Sequence, residues 1–244
     1  MTNMVRSSRL LSLFAAFAVC SALCLGALAG PAAGLSDAEY REMVEDPDFA
    51  KSDKRLNEVW SGLLKEGGLS KAGIRVLKAD QAQWVRKGRD TQAKILMEGG
   101  STALEAYTAA TRLRADELPG IAGRIFLQDR PDGPQGYYVR RENGRETGWL
   151  SVRWTDKKAG EVSVDAEAIL VLRPDNVRSG LWSGGGAVQK GVLKAQDEEG
   201  EGSATFTFKG DRVQVATTSD FASGSMGMGV TIEGTYVRQG LPKL

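Results

Sequence analysis

Between residues 46 and 118 the apolar positions recur in steps of three and four, and beyond residue 120 they alternate in twos. The first rhythm belongs to helices that bury one stripe, the second to strands that bury one face. Leu56, Val59, Trp60, Leu63 and Leu64 fall at i, i+3, i+4, i+7 and i+8, one apolar face on a helix of roughly four turns. Asp46-Pro47 supplies its start, Asp as cap and Pro at the first helical position, and Gly67-Gly68 its end. Ser70 caps a second helix, whose stripe runs through Ile74, Leu77, Gln81, Trp84 and Val85 to Ile95 and Leu96, before Gly99-Gly100. Thr102 and Glu105 form a capping box for a third, which carries Leu104, Tyr107, Ala110 and Leu113 and ends before Pro119. The short Gly-rich connections favour antiparallel neighbours. The acidic lead-in over residues 37–48 has two readings, a further short helix or a loose segment.

The strand rhythm is clearest over residues 137–139, 149–154, 161–172, 204–208 and 212–216. Gly210-Asp211 between the last two is a tight-hairpin signal. Residues 179–187 and 219–229 are rich in glycine and read as loops interrupting the pattern. About eight strands follow, enough for a small antiparallel barrel or sandwich. Gly136-Tyr137-Tyr138-Val139-Arg140 opens this half and Gly234-Thr235-Tyr236-Val237-Arg238 nearly closes it. Either these strands pair and remove both exposed edges, or two ordinary β-rich pentapeptides coincide. The expected fold is α+β: an antiparallel three-helix domain over residues 35–119, then an antiparallel β domain over 120–244, which holds 20 of the 30 glycines.

Ahead of both halves, residues 1–9 carry Arg6 and Arg9, and residues 10–29 are uncharged and rich in Leu, Ala and Phe. With Ala27-Leu28-Ala29 as an A-x-A exit, residues 1–29 read as a secretory signal peptide. The alternative is an uncleaved membrane anchor, since about 20 apolar residues can span a bilayer. The expected location is the periplasm or the exterior, with no stable membrane insertion after cleavage. Without Arg6 and Arg9 the chain carries 30 basic and 31 acidic residues. That balance gives no overall field to gather nucleic acid or coat anionic lipid.

Histidine is absent, and the two cysteines, Cys20 and Cys24, both lie in the signal segment. The mature chain therefore lacks the usual proton-transfer side chain, the thiolate nucleophile, and every imidazole or thiolate metal ligand. No enzyme, cofactor or metal site is expected. A carboxylate pair for glycoside hydrolysis needs two acids facing one bond. Asp165 and Glu167 share a strand face, whereas Asp197, Glu198, Glu199 and Glu201 read as a solvated hairpin tip. Gly184-Gly185-Gly186 lacks the Lys-Ser or Lys-Thr of a phosphate loop.

Polar residues set between the helical stripes read first as structural and second as contact residues. Asp53 and Asn57 share a helix face, as do Gln81 and Trp84, and Arg89 and Asp90 lie at the far end of that second helix. If buried they must be hydrogen-bonded. One arrangement pairs Asp53 or Asp90 with Arg89 and bonds Gln81 to backbone or to Asn57, with Trp84 as core, so that three helices are held in register. Direct ligand contact is the other reading. In the second half, Ser223, Ser225, Met226 and Met228 form a candidate contact loop, because exposed methionine suits an adaptable surface. The methionines can equally alternate inward at the start of the last strand and fill the barrel. Trp149, Trp154 and Trp182 read first as core or rim aromatics.

The run Ser52-Asp53-Lys54-Arg55-Leu56-Asn57 resembles the aspartate-x-x-leucine-asparagine segment of the LprI-like lysozyme-inhibitor N-terminal domain. Residues 77–90, with Gln81, Trp84, Arg89 and Asp90, resemble that family's second signature. Thr111-Arg112 through Leu118 resembles its closing helix, so Arg112 joins the motif set. The resemblance covers residues 45–118. It implies a small helical domain of exported bacterial proteins that binds and inhibits lysozyme. Ala93 stands near a position where family members often carry cysteine. The leading expectation is an exported binding protein that occludes a muramidase or another envelope protein. Acids of the 35–49 lead-in would steer it toward a cationic partner. The alternatives are a small-ligand carrier or sensor built on the barrel, and an envelope scaffolding module.

Overall fold

Both rhythms reappear as elements in a computed structural model that describes residues 36–173, 176–197, 202–218, 226 and 229–244. These fall in the unit Ala33–Leu244. The signal segment lies outside the described residues.

The acidic lead-in forms a helix, α1 (Asp37–Val44), begun by a Ser36–Glu39 capping box. In α2 (Pro47–Glu66) the Asp46 carboxylate accepts the Asp48 and Phe49 backbone N–H groups at 2.9 and 3.0 Å. Ser70 caps α3 (Lys71–Gln83), and the Thr102–Glu105 box opens α5 (Ala103–Asp129). Between them the second helix has an irregularity that its pattern concealed. From α3 the chain passes through a π-helical turn, Trp84–Gly88, into α4 (Arg89–Glu98) without a break. A π turn adds one residue to the helical phase. The buried side therefore moves from Trp84 to Arg89, Gln92, Ala93 and Leu96. Val85 and Ile95, expected on the apolar stripe, are turned outward at 45% and 57% exposure.

The third predicted helix does not stop before Pro119. It runs through Pro119-Gly120 to Asp129, and the change to strand falls between Asp129 and Gly136. An interior proline costs a helix about 3 kcal/mol. Here Ala115, Leu118, Ala122 and Ile125 on both sides of it are buried in one core with Leu56, Leu77 and Trp84, while Pro119 faces outward. Burial of those flanking turns outweighs the lost hydrogen bond.

Eight strands follow: β1 (Gly136–Glu142), β2 (Arg145–Asp156), β3 (Glu161–Arg173), β4 (Asn176–Ala187), β5 (Val192–Asp197), β6 (Ser203–Lys209), β7 (Arg212–Thr217) and β8 (Gly234–Arg238). Each pairs with the next in antiparallel fashion, and the sheet is a closed barrel. Its closure comes from the two similar pentapeptides, with Tyr138 opposite Arg238 and Val139 opposite Val237. Gly210-Asp211 is the predicted two-residue hairpin. Residues 179–187 are not a loop but most of β4. A Cβ on Gly184 would lie 2.4 Å from the Gln196 carbonyl oxygen, and one on Gly185 2.6 Å from that of Val162. The glycines are there so that backbones can approach.

Inward positions fill the barrel with Tyr138, Leu150, Val164, Trp182, Leu193, Phe206, Ile232, Tyr236 and smaller neighbours. Met226 belongs to this core at 6% exposure, joined to Gly180 by an isolated bridge. It neither begins the last strand nor sits on an exposed contact surface. Ser223, Ser225 and Met228 lie outside the described residues. On the outer wall, Tyr137 and Val139 of β1 pack with Leu127 and Phe126 of α5 and with Trp149, so α5 belongs to both layers. No helix among the described residues is long and apolar enough to cross a membrane, which says nothing of the barrel.

Candidate functional site

The residues singled out in the helical half form two arginine-centred clusters. In the first, Asn57 Nδ2 donates to the carbonyl and the carboxylate of Asp53, both at 3.0 Å. Burial and then the Asp53 carboxylate push the Tyr40 phenol above its usual range. The Arg89 guanidinium lies between two rings, 5.9 Å from the centroid of Tyr40 and 5.9 Å from that of Tyr107. Its Nε is 3.9 Å from the Asp90 carboxylate, which also accepts the Tyr107 hydroxyl at 3.1 Å. Arg89 is thus flanked by Asp90 and the rings, its buried Nε making no hydrogen bond among the described residues, and Asp53 is held by Asn57.

The second cluster is centred on a residue the sequence reading passed over. Arg112 is exposed, whereas Arg114, two positions on, is 4% exposed. Arg114 Nε donates to Gln81 at 2.9 Å, and its Nη2 pairs with Asp80. The guanidinium lies 5.5 Å from the Trp84 ring, and Glu117 stands 3.9 Å away. Trp84 Nε1 in turn donates to Gln92 at 3.0 Å. Gln81 is therefore bonded across to α5, not to Asn57 or backbone. A signal for Arg114 was present. Tyr107, Thr111, Arg114, Leu118, Ala122 and Ile125 recur in steps of four and three, and all are buried. The stripe placed a cation in the core, which requires partners. Each cluster pairs a cation with carboxylate and aromatic faces, and together they fasten α1, α2, the α3–α4 rod and α5.

On the barrel wall the two candidate carboxylates are engaged separately. Asp165 accepts from Arg153 Nη1 and from Ser183 Oγ, each at 3.0 Å. Glu167, 5% exposed, accepts from Trp149 Nε1 at 2.7 Å, and Trp149 stacks on Tyr137 at 6.0 Å. Burial raises the Glu167 carboxyl above its ordinary value, against the opposing Trp149 hydrogen bond. A carboxyl raised in the fold contributes stability that is complete below its ordinary value and is lost as pH rises through the raised one. Glu167→Gln keeps the acceptor for Trp149 and removes the buried charge. The variant is expected to melt a few degrees higher than the parent at pH 7 and at the same temperature at pH 4. Parallel melting curves at both pH values would count against a buried, ionising Glu167.

At one end of the barrel lies a cleft of about 550 Å³, lined by Arg140, Glu142, Ile169, Leu170, Val230 and Glu233 among others. Arg140 closes its inner side. Its guanidinium donates to the Thr147 hydroxyl and carbonyl at 3.1 Å each, to the Thr231 carbonyl at 3.0 Å and to the Glu233 carbonyl. It also lies over the Tyr236 ring at 5.6 Å. Hydrogen bonds from the Thr217 hydroxyl, then from its backbone, hold the Glu233 carboxyl below its usual range. Among the described residues no three of His, Cys, Asp and Glu converge as metal ligands would.

The fold is thus an eight-stranded antiparallel barrel with a helical layer fastened to its outer wall. No family model matches this chain, and comparison with curated proteins and with solved structures found no match.

Proposed function

We propose that this chain is an exported, non-enzymatic binding protein of the cell envelope, of the lysozyme-inhibitor type, that occludes a muramidase. The observation that carries the reading is convergence. The three segments that resemble the inhibitor family, around residues 53–57, 81–90 and 111–118, meet in one packed body. Leu56 and Trp84 share its core, and Gln81, Arg89 and Asp90 join its polar clusters. Those clusters spend their charges on one another, as a rigid scaffold requires and a reaction centre does not. An inhibitor that blocks a cleft needs rigidity, because ordering a loose surface on binding would cost affinity. The filled barrel interior also favours a protein partner over a small ligand enclosed along the barrel axis.

The purified protein is expected to slow lysis of cell-wall substrate by a muramidase in a dose-dependent way at micromolar concentration. Full muramidase activity at that concentration would sink the reading. The cleft beside Arg140 supports a second reading, sensing of a small polar ligand at the barrel end. Native mass spectrometry of the purified protein tests it through a co-purified adduct.

A further inference from the structure

Net charge near zero hides a local separation. Within the rod formed by α3, the π turn and α4, the acids Asp80 and Asp90 are engaged by Arg114 and Tyr107, Asp80 with about one-third of its side chain open to solvent. Lys71, Arg75, Lys78, Arg86, Lys87 and Lys94 are all exposed. None of the six forms an ion pair among the described residues. Lys71, Arg75, Lys78, Ala82 and Arg86 follow one another in steps of four, three, four and four, so the cations form a row along one side. Val85 and Ile95 add apolar side chains to the rod's exposed surface. Met97 is exposed beyond them. Glu98, at the very end, is the exposed acid of the rod.

We propose that the outer side of this rod is a docking surface for an anionic bilayer. A row of unpaired cations alone would suit any polyanion. Large apolar side chains exposed on the same rod as the cations distinguish a membrane, where cations meet headgroups while aliphatic chains enter the interfacial layer. Aliphatic side chains gain nothing from a fully hydrated polymer. The contact is peripheral and involves no spanning segment. It is independent of muramidase occlusion, which concerns another partner.

The test is co-sedimentation of the full chain with mixed phosphatidylcholine–phosphatidylglycerol vesicles and with pure phosphatidylcholine vesicles. Partition through the apolar stretch at residues 10–29 would appear with both, so the difference between them isolates the rod. Partition into the anionic vesicles is expected to exceed the neutral value by about tenfold or more, and to fall with added salt. The combined variant Lys71→Gln, Arg75→Gln, Lys78→Gln and Arg86→Gln should abolish that excess. Val85→Ser with Ile95→Ser should weaken it several-fold while leaving its salt dependence unchanged. Both variants alter exposed positions, and an unchanged Tm establishes that they fold. Equal partition into the two vesicle types, or an excess that survives the four-charge variant, overturns the proposal. So does an excess indifferent to Val85→Ser and Ile95→Ser together with equally tight binding of dextran sulfate, which would assign the row to a soluble polyanion.

Discussion

Arg114→Ala is expected to lower Tm by about 10 °C, corresponding to a loss of about 3 kcal/mol for a chain of this size. The guanidinium is almost sealed, and four groups depend on it: the Asp80 and Glu117 carboxylates, the Gln81 side-chain oxygen and the face of Trp84. Removing one partner of a buried pair is more damaging than never having built it, because the remaining polar groups have no water to turn to. Asp80 and Glu117 are each about one-third exposed, at 37% and 32% of their side-chain surface, so solvent recovers part of their loss. That places the cost at the lower end of the range for buried pairs. Gln81 and Trp84 lose their contact inside the helix packing and have no such relief. Arg114→Lys should recover only part of the loss, since an ammonium keeps the charge but neither the Nε bond to Gln81 nor the planar stack. Arg112→Ala, at an exposed position on the same helix, is expected to change stability by no more than about 0.5 kcal/mol. Thermal melts of the three variants decide the matter. Equal effects at residues 112 and 114 would mean that the second cluster does not hold the helices together.

That pair of neighbours shows where the sequence was legible. The starts of α2, α3 and α5 were readable because each rests on a local exchange of hydrogen bonds, at Asp46, Ser70 and Thr102. The pairing of the closing strands was one of two open readings, because similar alternation at both ends of the β half can satisfy both edges but does not require that the two ends meet. The pass of α5 through Pro119 was not readable, since proline's local cost is overridden only by tertiary burial on both sides of it. The π turn was hidden for a similar reason. Its one-residue phase shift changes which side chains face inward, yet leaves every residue type compatible with a helix. Ile95, beyond the turn, therefore looked like core. The candidate site was half legible. Gln81, Trp84, Arg89 and Asp90 were recognised as a group, but they divide between two clusters, and Arg114, which organises Gln81 and Trp84, was passed over for Arg112, which the family resemblance supplied. Glycines 184 to 186 were read as a loop for the opposite reason: glycine signals backbone freedom, and here the fold uses its small size.

Gly184→Val tests that last point and is expected to destabilise the barrel by about 3 kcal/mol or more. The added Cβ would lie 2.4 Å from the Gln196 carbonyl oxygen and 2.6 Å from the ring of Trp182. Neither obstacle can yield freely. The carbonyl belongs to β5, and Gly184 and Gly185 are the β4 residues in register with β5, opposite Asp197 and Gln196. Moving it away opens the seam between the first four strands and the last four. Trp182 is buried against Phe206 at 5.4 Å between ring centroids, inside the filled barrel. An opened seam would expose two strand edges, so the variant should also gain a tendency to aggregate. Gly62→Ala is the contrast. Nothing lies within 4 Å of a Cβ at that helical position, and alanine there should be neutral or stabilising by up to about 1 kcal/mol. Thermal melting gives the stabilities, and size-exclusion chromatography gives the aggregated fraction. If Gly184→Val melts within a degree or two of the parent and stays monodisperse, β4 and β5 can part without cost, and barrel closure does not depend on bare backbone at residue 184.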